Sequence, residues 1–185
     1  GNAGATYAWT GPSGFTSAAQ APTVSAAGTY TVTVTDVNTC SASANVNLTV
    51  TPLPVVVIAN KAVCTGSTTT FDAGNVGATY AWTGPSGFTS TLQTPTVTAQ
   101  GTYTVVVTAS GCSATANTQL TVNPLPVVNV ANKTICSGGS NTFDAGNAGA
   151  TYAWTGPNGF TSALQIPTVS DPGTYSVTVI DANSC

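Results

Sequence analysis

Histidine, glutamate, arginine and methionine are missing from this chain of 185 residues, and only 4% of it is charged. Those absences narrow the chemistry. Acid–base catalysis would have to rest on Asp36, Asp72, Asp144, Asp171 and Asp181, or on a cysteine without an imidazole partner. No acid and base pair recurs and no cleft is implied, so the chain reads as non-enzymatic. Lys61 and Lys133 are the only cations, whereas phosphate binding needs clustered Lys or Arg. Nucleic acid is thereby excluded as a partner, and a net charge of −3 is too diffuse to steer a cationic one. No apolar run reaches the roughly 20 residues of a membrane span. The opening residues GNAGATYAWT lack the basic and apolar regions of a signal peptide, so any targeting segment is expected to lie outside this stretch. With charge so scarce, Thr, Ser, Asn, Gln and the backbone must solvate the surface.

What is present is repetition. GATYAWTGPSGFTS at 4–17 returns at 77–90, and again at 149–162 with Asn158 in place of the serine. Trp9, Trp82 and Trp154 stand 73 and 72 positions apart, and PLPVV recurs at 52–56 and 124–128. Taking each PLP as a boundary gives three units: 1–52 without its opening, 53–124 complete, and 125–185 without its closing strand. Gly1 takes the place of Gly74 and Cys185 that of Cys112. A window onto a longer array, or a processed piece of one, is the expectation. Strands donated between neighbouring chains are a second reading of the broken ends, placed lower because the strands to be donated are themselves missing.

The middle unit alternates apolar and polar residues in short runs punctuated by turns every 8 to 12 positions or so, the pattern of an all-β domain. Strands are expected at 54–60, 67–74, 79–84, in one or two short pieces within 90–98, at 101–108 and at 114–123. Gly84-Pro85-Ser86-Gly87 suits a type I turn with Pro second and Gly fourth. Pro95 belongs at an edge or a bend. In 101–108, Tyr103, Val105 and Val107 share one face. Seven strands, a Trp on the third and a Tyr on the sixth make an immunoglobulin-type pattern. The expected architecture is tandem immunoglobulin-like β-sandwich repeats of about 72 residues in an extended rod. Proline on both sides of each PLP connector restricts the hinge.

GTYTVTVTD at 28–36, GTYTVVVTA at 101–109 and DPGTYSVTVID at 171–181 resemble the tyrosine-corner strand of immunoglobulin-like and PKD-like domains. VCTG or ICSG lies before the second strand, Tyr-x-Trp on the third, and GC or SC after the sixth. Together they make the chain similar to the tandem modules of large secreted surface proteins of Bacteroidota-type bacteria. The resemblance implies an extracellular stalk, adhesin or filament exported by a dedicated system. WTGPSGF replaces the WDFGDG-like turn of PKD domains, so the generic immunoglobulin-like assignment is the firmer one.

Five cysteines without CxxC or Cys/His spacing favour disulfides over metal, and hence an oxidising, extracellular location. One type precedes the second strand (Cys64, Cys136) and the other follows the sixth (Cys40, Cys112, Cys185). The simple reading pairs Cys64 with Cys112 and Cys136 with Cys185, leaving Cys40 to a partner outside the chain. Strict sandwich topology opposes it, since the two loops lie at opposite ends, about 25 Å apart for eight residues of strand. Cys64 would then meet Cys185 across the junction between units, or a cysteine of another chain. Free thiols are the remaining reading.

The other recurring residues have plain roles as their first explanation. Tyr-x-Trp at 7–9, 80–82 and 152–154 describes a core pair before it describes a sugar-stacking platform. Phe15, Phe88 and Phe160 either pack under the preceding turn or form a contact patch repeated along the rod. Asp72, Asn75, Asp144 and Asn147 recur in FDAGN and are weak calcium ligands, because Asp and Asn are also ordinary turn residues. No other cofactor is expected. Asp36 and Asp181 recur in DVN and DAN, but Ala109-Ser110-Gly111 replaces that motif in the middle unit. The threonines at 29, 31, 33 and 35 form a ladder one strand wide, explained by strand preference before ice binding. Asn47-Leu48-Thr49 and Asn132-Lys133-Thr134 match the glycosylation triplet. The expected function is a structural, adhesive or surface-display fibre or stalk at the cell surface, partnered by further copies of the repeat in the same or neighbouring chains. The alternatives are a module that binds carbohydrate or a host surface, or accessory repeats of a larger secreted enzyme.

Overall fold

In the computed structural model the described residues are 4–185, nearly all of whose regular structure is strand. The chain divides into two compact units, Gly1–Leu53 and Pro54–Cys185. In the first, β1 (Thr6–Thr10), β2 (Thr16–Ser17), β3 (Gly28–Thr35) and β4 (Ser41–Leu48) form one antiparallel sheet in the order β2-β1-β3-β4.

The second unit holds the middle and last copies of the repeated sequence. The middle copy supplies β5 (Lys61–Cys64), β6 (Thr69–Thr70), β7 (Thr79–Thr83), β8 (Thr89–Ser90), β9 (Thr96–Val97), β10 (Gly101–Ala109) and β11 (Cys112–Asn123). The main sheet runs β5-β11-β10-β7-β8, and β6 pairs with β9 in a second one. β5 lies parallel to the end of β11, with Lys61 opposite Leu120 and Cys64 opposite Asn123. That parallel edge, a central antiparallel run and a facing pair of short strands are the arrangement of an immunoglobulin-type sandwich. The last copy supplies β12 (Asn141–Thr142), β13 (Thr151–Thr155), β14 (Thr161–Ser162), β15 (Thr168–Val169) and β16 (Ser176–Ile180). They form two sheets, β14-β13-β16 and β12-β15.

Alternation explains the middle core. Tyr103, Val105 and Val107 of β10 are buried while Thr102 and Val106 face solvent. Phe71 stacks on Trp82 at 6.2 Å between ring centroids and lies 5.4 Å from Tyr103. Leu120 closes the cluster from β11. Each such large apolar side chain contributes about 1.5–3 kcal/mol by leaving water.

Three sequence expectations are corrected. Residues 54–60 form no ladder, and pairing begins only at Lys61. Val56 and Ile58 still pack on the core, but the Asn60 side chain takes over the pairing, its Oδ1 accepting from the Gln119 N–H at 2.9 Å. The expected strand 67–74 is regular only at β6. Beyond it the Phe71 N–H donates to the Pro95 carbonyl and the Ala73 N–H to the Gln93 carbonyl. Pro95 has no N–H to return, so the ladder lapses. The turn after β7 is closed by the Phe88 N–H on the Pro85 carbonyl at 3.1 Å. Ser86 and Gly87 sit at φ of 55° and 74°, the positive values a primed hairpin turn requires and a type I turn does not have. It lies one residue beyond the expected turn and starts the β7–β8 hairpin.

Candidate functional site

The chemically distinctive feature is a covalent bond between copies. Cys64, at the end of β5, is joined to Cys185, 121 residues later, with the Cα atoms 5.5 Å apart. The expected pairs Cys64–Cys112 and Cys136–Cys185 are therefore corrected in favour of the bond across the junction. The register gives the reason. Cys64 stands opposite Asn123 at the end of β11, and Cys112 begins that strand. Eleven residues at about 3.3 Å each separate them by about 36 Å, far beyond the roughly 7 Å that a disulfide spans between Cα atoms. Cys185 is taken by Cys64, so the expected Cys136–Cys185 pair is not formed. Cys40 and Cys136 are exposed.

A carboxylate presents Cys185. Asp181 Oδ1 accepts from the N–H groups of Asn183 and Cys185, each at 2.9 Å. The Cys185 N–H, ahead of the smaller contribution from Asn183, holds the Asp181 carboxyl below its usual range. Asp36 Oδ1 makes the matching pair of hydrogen bonds in the first unit, accepting from Asn38 N–H at 2.9 Å and Cys40 N–H at 2.8 Å. The middle copy turns instead through Ser110 and Gly111, both at positive φ. In the sequence Asp36 and Asp181 are legible as recurring motifs but not in this positioning role. The signal was available in the identical Asp-x-Asn-x-Cys spacing of the first and last copies.

The tyrosine corner is built as its motif implies. Tyr30, Tyr103 and Tyr175 donate their hydroxyls to the carbonyls of Ala26, Ala99 and Asp171 at 2.8, 2.8 and 2.9 Å. Gly84 is required there, because a Cβ on it would lie 2.5 Å from the Tyr103 ring. Gly101, at φ +138°, would press a Cβ into Pro85 at 2.6 Å. The glycine before the proline and the glycine before the tyrosine thus let turn and strand interlock.

The contact candidates lie in that interlock. Phe15, Phe88 and Phe160 are half-buried, edge-on to Tyr30, Tyr103 and Tyr175 at 5.3, 5.2 and 5.2 Å. Trp82 and Trp154 are buried, and each donates its indole N–H to a carbonyl, of Leu92 and Leu164. Neither leaves a ring face for a sugar. Trp9 makes the same bond to Ala19 and is half-buried.

Asp72 Oδ1 accepts from the Gly74 N–H at 2.8 Å and from Gln93 Nε2 at 3.0 Å. Those bonds, the first the larger, lower its carboxyl's pKa, and Asp144 repeats them with Gly146 and Gln165. Asn75 and Asn147 turn their amide N–H groups to the Val55 and Val127 carbonyls, both at 2.8 Å. The aspartates thus brace the turn itself and tie it to a glutamine, and the asparagines hold it against the chain entering each copy. A calcium ion wants six to eight oxygens, and among the described residues no group of three His, Cys, Asp or Glu comes together. The asparagine amides present hydrogens to the Val55 and Val127 carbonyls here.

No protein-family model and no curated protein sequence matches the chain. Among solved structures it is similar to extracellular domains 3–5 of Drosophila OTK, at 15% identity and a TM-score of 0.41, over 98% of this chain and 82% of that one. It is also similar to titin domains Z1Z2 in complex with telethonin, at 18% identity and a TM-score of 0.32, over 68% and 86%. The N-terminal four immunoglobulin domains of Dscam1 follow at 14% identity and 0.29, over 97% and 62%. No helix is long and apolar enough to cross a membrane among the described residues. At scores this low the assignment of the fold rests on strand order, and by that order the middle copy is an all-β sandwich of immunoglobulin type.

Proposed function

We propose that the chain is part of a stiff extracellular fibre or stalk with an adhesive or surface-display role, made of immunoglobulin-like repeats over 1–52, 53–124 and 125–185. The observation that carries this reading is the Cys64–Cys185 bond. A disulfide closing one domain stabilises that domain. One joining consecutive copies limits how they swing and carries tension past the proline-flanked connector. Such bonds persist outside the reducing cytosol, and two lysines in 185 residues leave a trypsin-like protease little to cut. Cys136 repeats the position of Cys64, and Cys40 that of Cys185, so each would take the same bond with a further copy.

The two lysines supply the test. Trypsin on the denatured, unreduced chain cuts after Lys61 and Lys133, leaving fragments 1–61, 62–133 and 134–185. Cys64 and Cys112 share the middle fragment, while Cys136 and Cys185 share the last. Middle and last fragments are expected to stay joined until reductant is added. Their separation without reductant would remove the staple and the fibre reading with it.

A further inference from the structure

The segment that leads into β5 packs like a strand and leaves its main chain almost unused. Val56 and Ile58 turn their side chains onto the core, so alternation puts Val55 and Val57 outside, 79% and 85% exposed. Within 55–59 two main-chain groups have partners among the described residues: the Val55 carbonyl accepts from Asn75 Nδ2 at 2.8 Å, and the Ala59 carbonyl from Thr118 Oγ1 at 3.0 Å. None of the five N–H groups donates to a described residue. Both engaged carbonyls belong to odd-numbered residues and face the sandwich. Successive residues of a strand present their N–H and C=O to opposite sides, so those of Val56 and Ile58 line the outer edge. Sheet edges are ordinarily guarded by lysine, by proline or by a covering loop. Pro52 and Pro54 stand before this segment, and Lys61 after it has its ammonium drawn to the Thr70 carbonyl at 2.6 Å. Between Pro54 and Lys61 runs VVVIAN, uncharged, free of proline and rich in β-branched residues, the composition that pairs with its own kind.

We infer that residues 55–59 are a pairing edge for the same segment of a second copy of this chain, in an antiparallel two-fold dimer centred on Val57. A free row of N–H and C=O groups calls for a partner with a free row, and an uncharged apolar row calls for one without charge. The segment meets both requirements about itself, so the same surface serves on both chains. The symmetry fixes the register. Val56 stands opposite Ile58 of the second chain and exchanges both hydrogen bonds with it, and Ile58 stands opposite Val56 in turn. Val57 meets Val57 in the pair between them, where side chains approach most closely, and Val55 meets Ala59. A slip of one residue would bring the inward-facing groups to the seam and lose these bonds. The last copy repeats the segment with Val127 83% exposed, but Asn129 takes the place of Val57, so the middle copy carries the more apolar edge. The pairing requires neither the staple nor a fibre.

The test uses the full chain with its free thiols alkylated in the absence of reductant, so that the Cys64–Cys185 bond stays and no new one forms. Sedimentation equilibrium from micromolar to millimolar concentration is expected to show a reversible doubling of mass. Over the same range the amides of Val56 and Ile58 should slow at least tenfold in hydrogen exchange while that of Val57 does not. Val57→Lys sets two ammonium groups face to face and should raise the dissociation constant at least tenfold. The side chain it replaces is exposed, so the melting temperature should hold. Should it fall, Val57→Asn, the residue found at 129, is read instead, with a weakening of at least threefold. Leu92→Lys, at a position 62% exposed elsewhere in the same copy, is the control and should leave the dimer intact. Doubling of mass with alternate protection, lost on substitution of Val57 alone, supports the inference. A chain that stays monomeric to millimolar concentration overturns it. So does a dimer indifferent to residue 57, or one that Leu92→Lys weakens equally, which would mark unspecific apolar association.

Discussion

The middle and last copies bury the same tryptophan, Trp82 and Trp154 at 1% and 2%, yet differ sharply around it. Phe71 and Tyr103 are sealed in the middle copy, and their counterparts Phe143 and Tyr175 are half-exposed. β10 runs for nine residues and β16 for five. Near-identical sequence thus gives two depths of core, and the difference follows β11. The hairpin partners of the tryptophan suffice to bury it. The outer half of the sandwich needs the closing strand.

The comparison breaks most directly through the core. Trp82→Ala is expected to cost about 3–5 kcal/mol, and Leu120→Ala about 2–5 kcal/mol, in urea denaturation. The second change should also leave Tyr103 and Phe71 as accessible as Tyr175 and Phe143 already are. A loss under about 1 kcal/mol for Leu120→Ala, against the cavity scale, would mean that β11 does not seal the middle core. Phe143→Ala should cost less than Phe71→Ala, because a half-exposed ring leaves a smaller void.

The staple comes next. Cys64→Ser, or reduction, is expected to lower stability by about 2–4 kcal/mol, read as a fall in the melting temperature. Cys40→Ser should leave the melting of the second unit unchanged. A melting curve indifferent to reductant would show that the two copies stand without their bond.

Much of this was legible beforehand. Alternation located β7, β10 and β11 to within a residue or two, because each is long enough for period two to outlast its ends. The tyrosine corner was readable from Gly-Thr-Tyr, since glycine, strand and hydroxyl are all in the motif. The strands at 54–60 and 67–74 were overstated for one reason: a segment that packs like a strand need not pair like one. Val56 and Ile58 bury without a ladder, and Pro95 cuts the ladder short from across the sheet, where no local pattern shows it. Cysteine pairing was legible only as alternatives. Spacing within a repeat suggested one bond and strand length forbade it. What decides is the distance from Cys112 to Asn123 along β11, a property of the sheet.

Smaller effects sharpen the comparison. Tyr103→Phe removes a hydroxyl bond in a sealed corner and should cost about 1 kcal/mol. Tyr175→Phe removes the same bond where water can replace it, and should cost measurably less. Equal costs would mean that β11 does not dry the corner.

The smallest difference is set by pH. Asp181 is held below the usual 3.8 by the Cys185 and Asn183 N–H groups, whereas the middle copy makes its turn through Ser110 and Gly111 without a carboxylate. A carboxyl depressed in the folded state contributes its full stabilisation above its unfolded value and loses it as pH falls through the folded one. The melting temperature should therefore hold steady from neutral pH to about 4 and decline below that. Asp72 and Asp144 contribute in the same direction. Asp181→Asn keeps an acceptor oxygen for the Cys185 N–H but cannot titrate, so this variant should show a shallower acid decline than the parent. Because the carboxyl is exposed the difference is small, and it should vanish on reduction if the turn matters chiefly for holding Cys185 against Cys64. An identical acid decline in parent and variant would mean that the carboxylate's charge does nothing for the turn, and that Asn at position 181 would present the cysteine equally well.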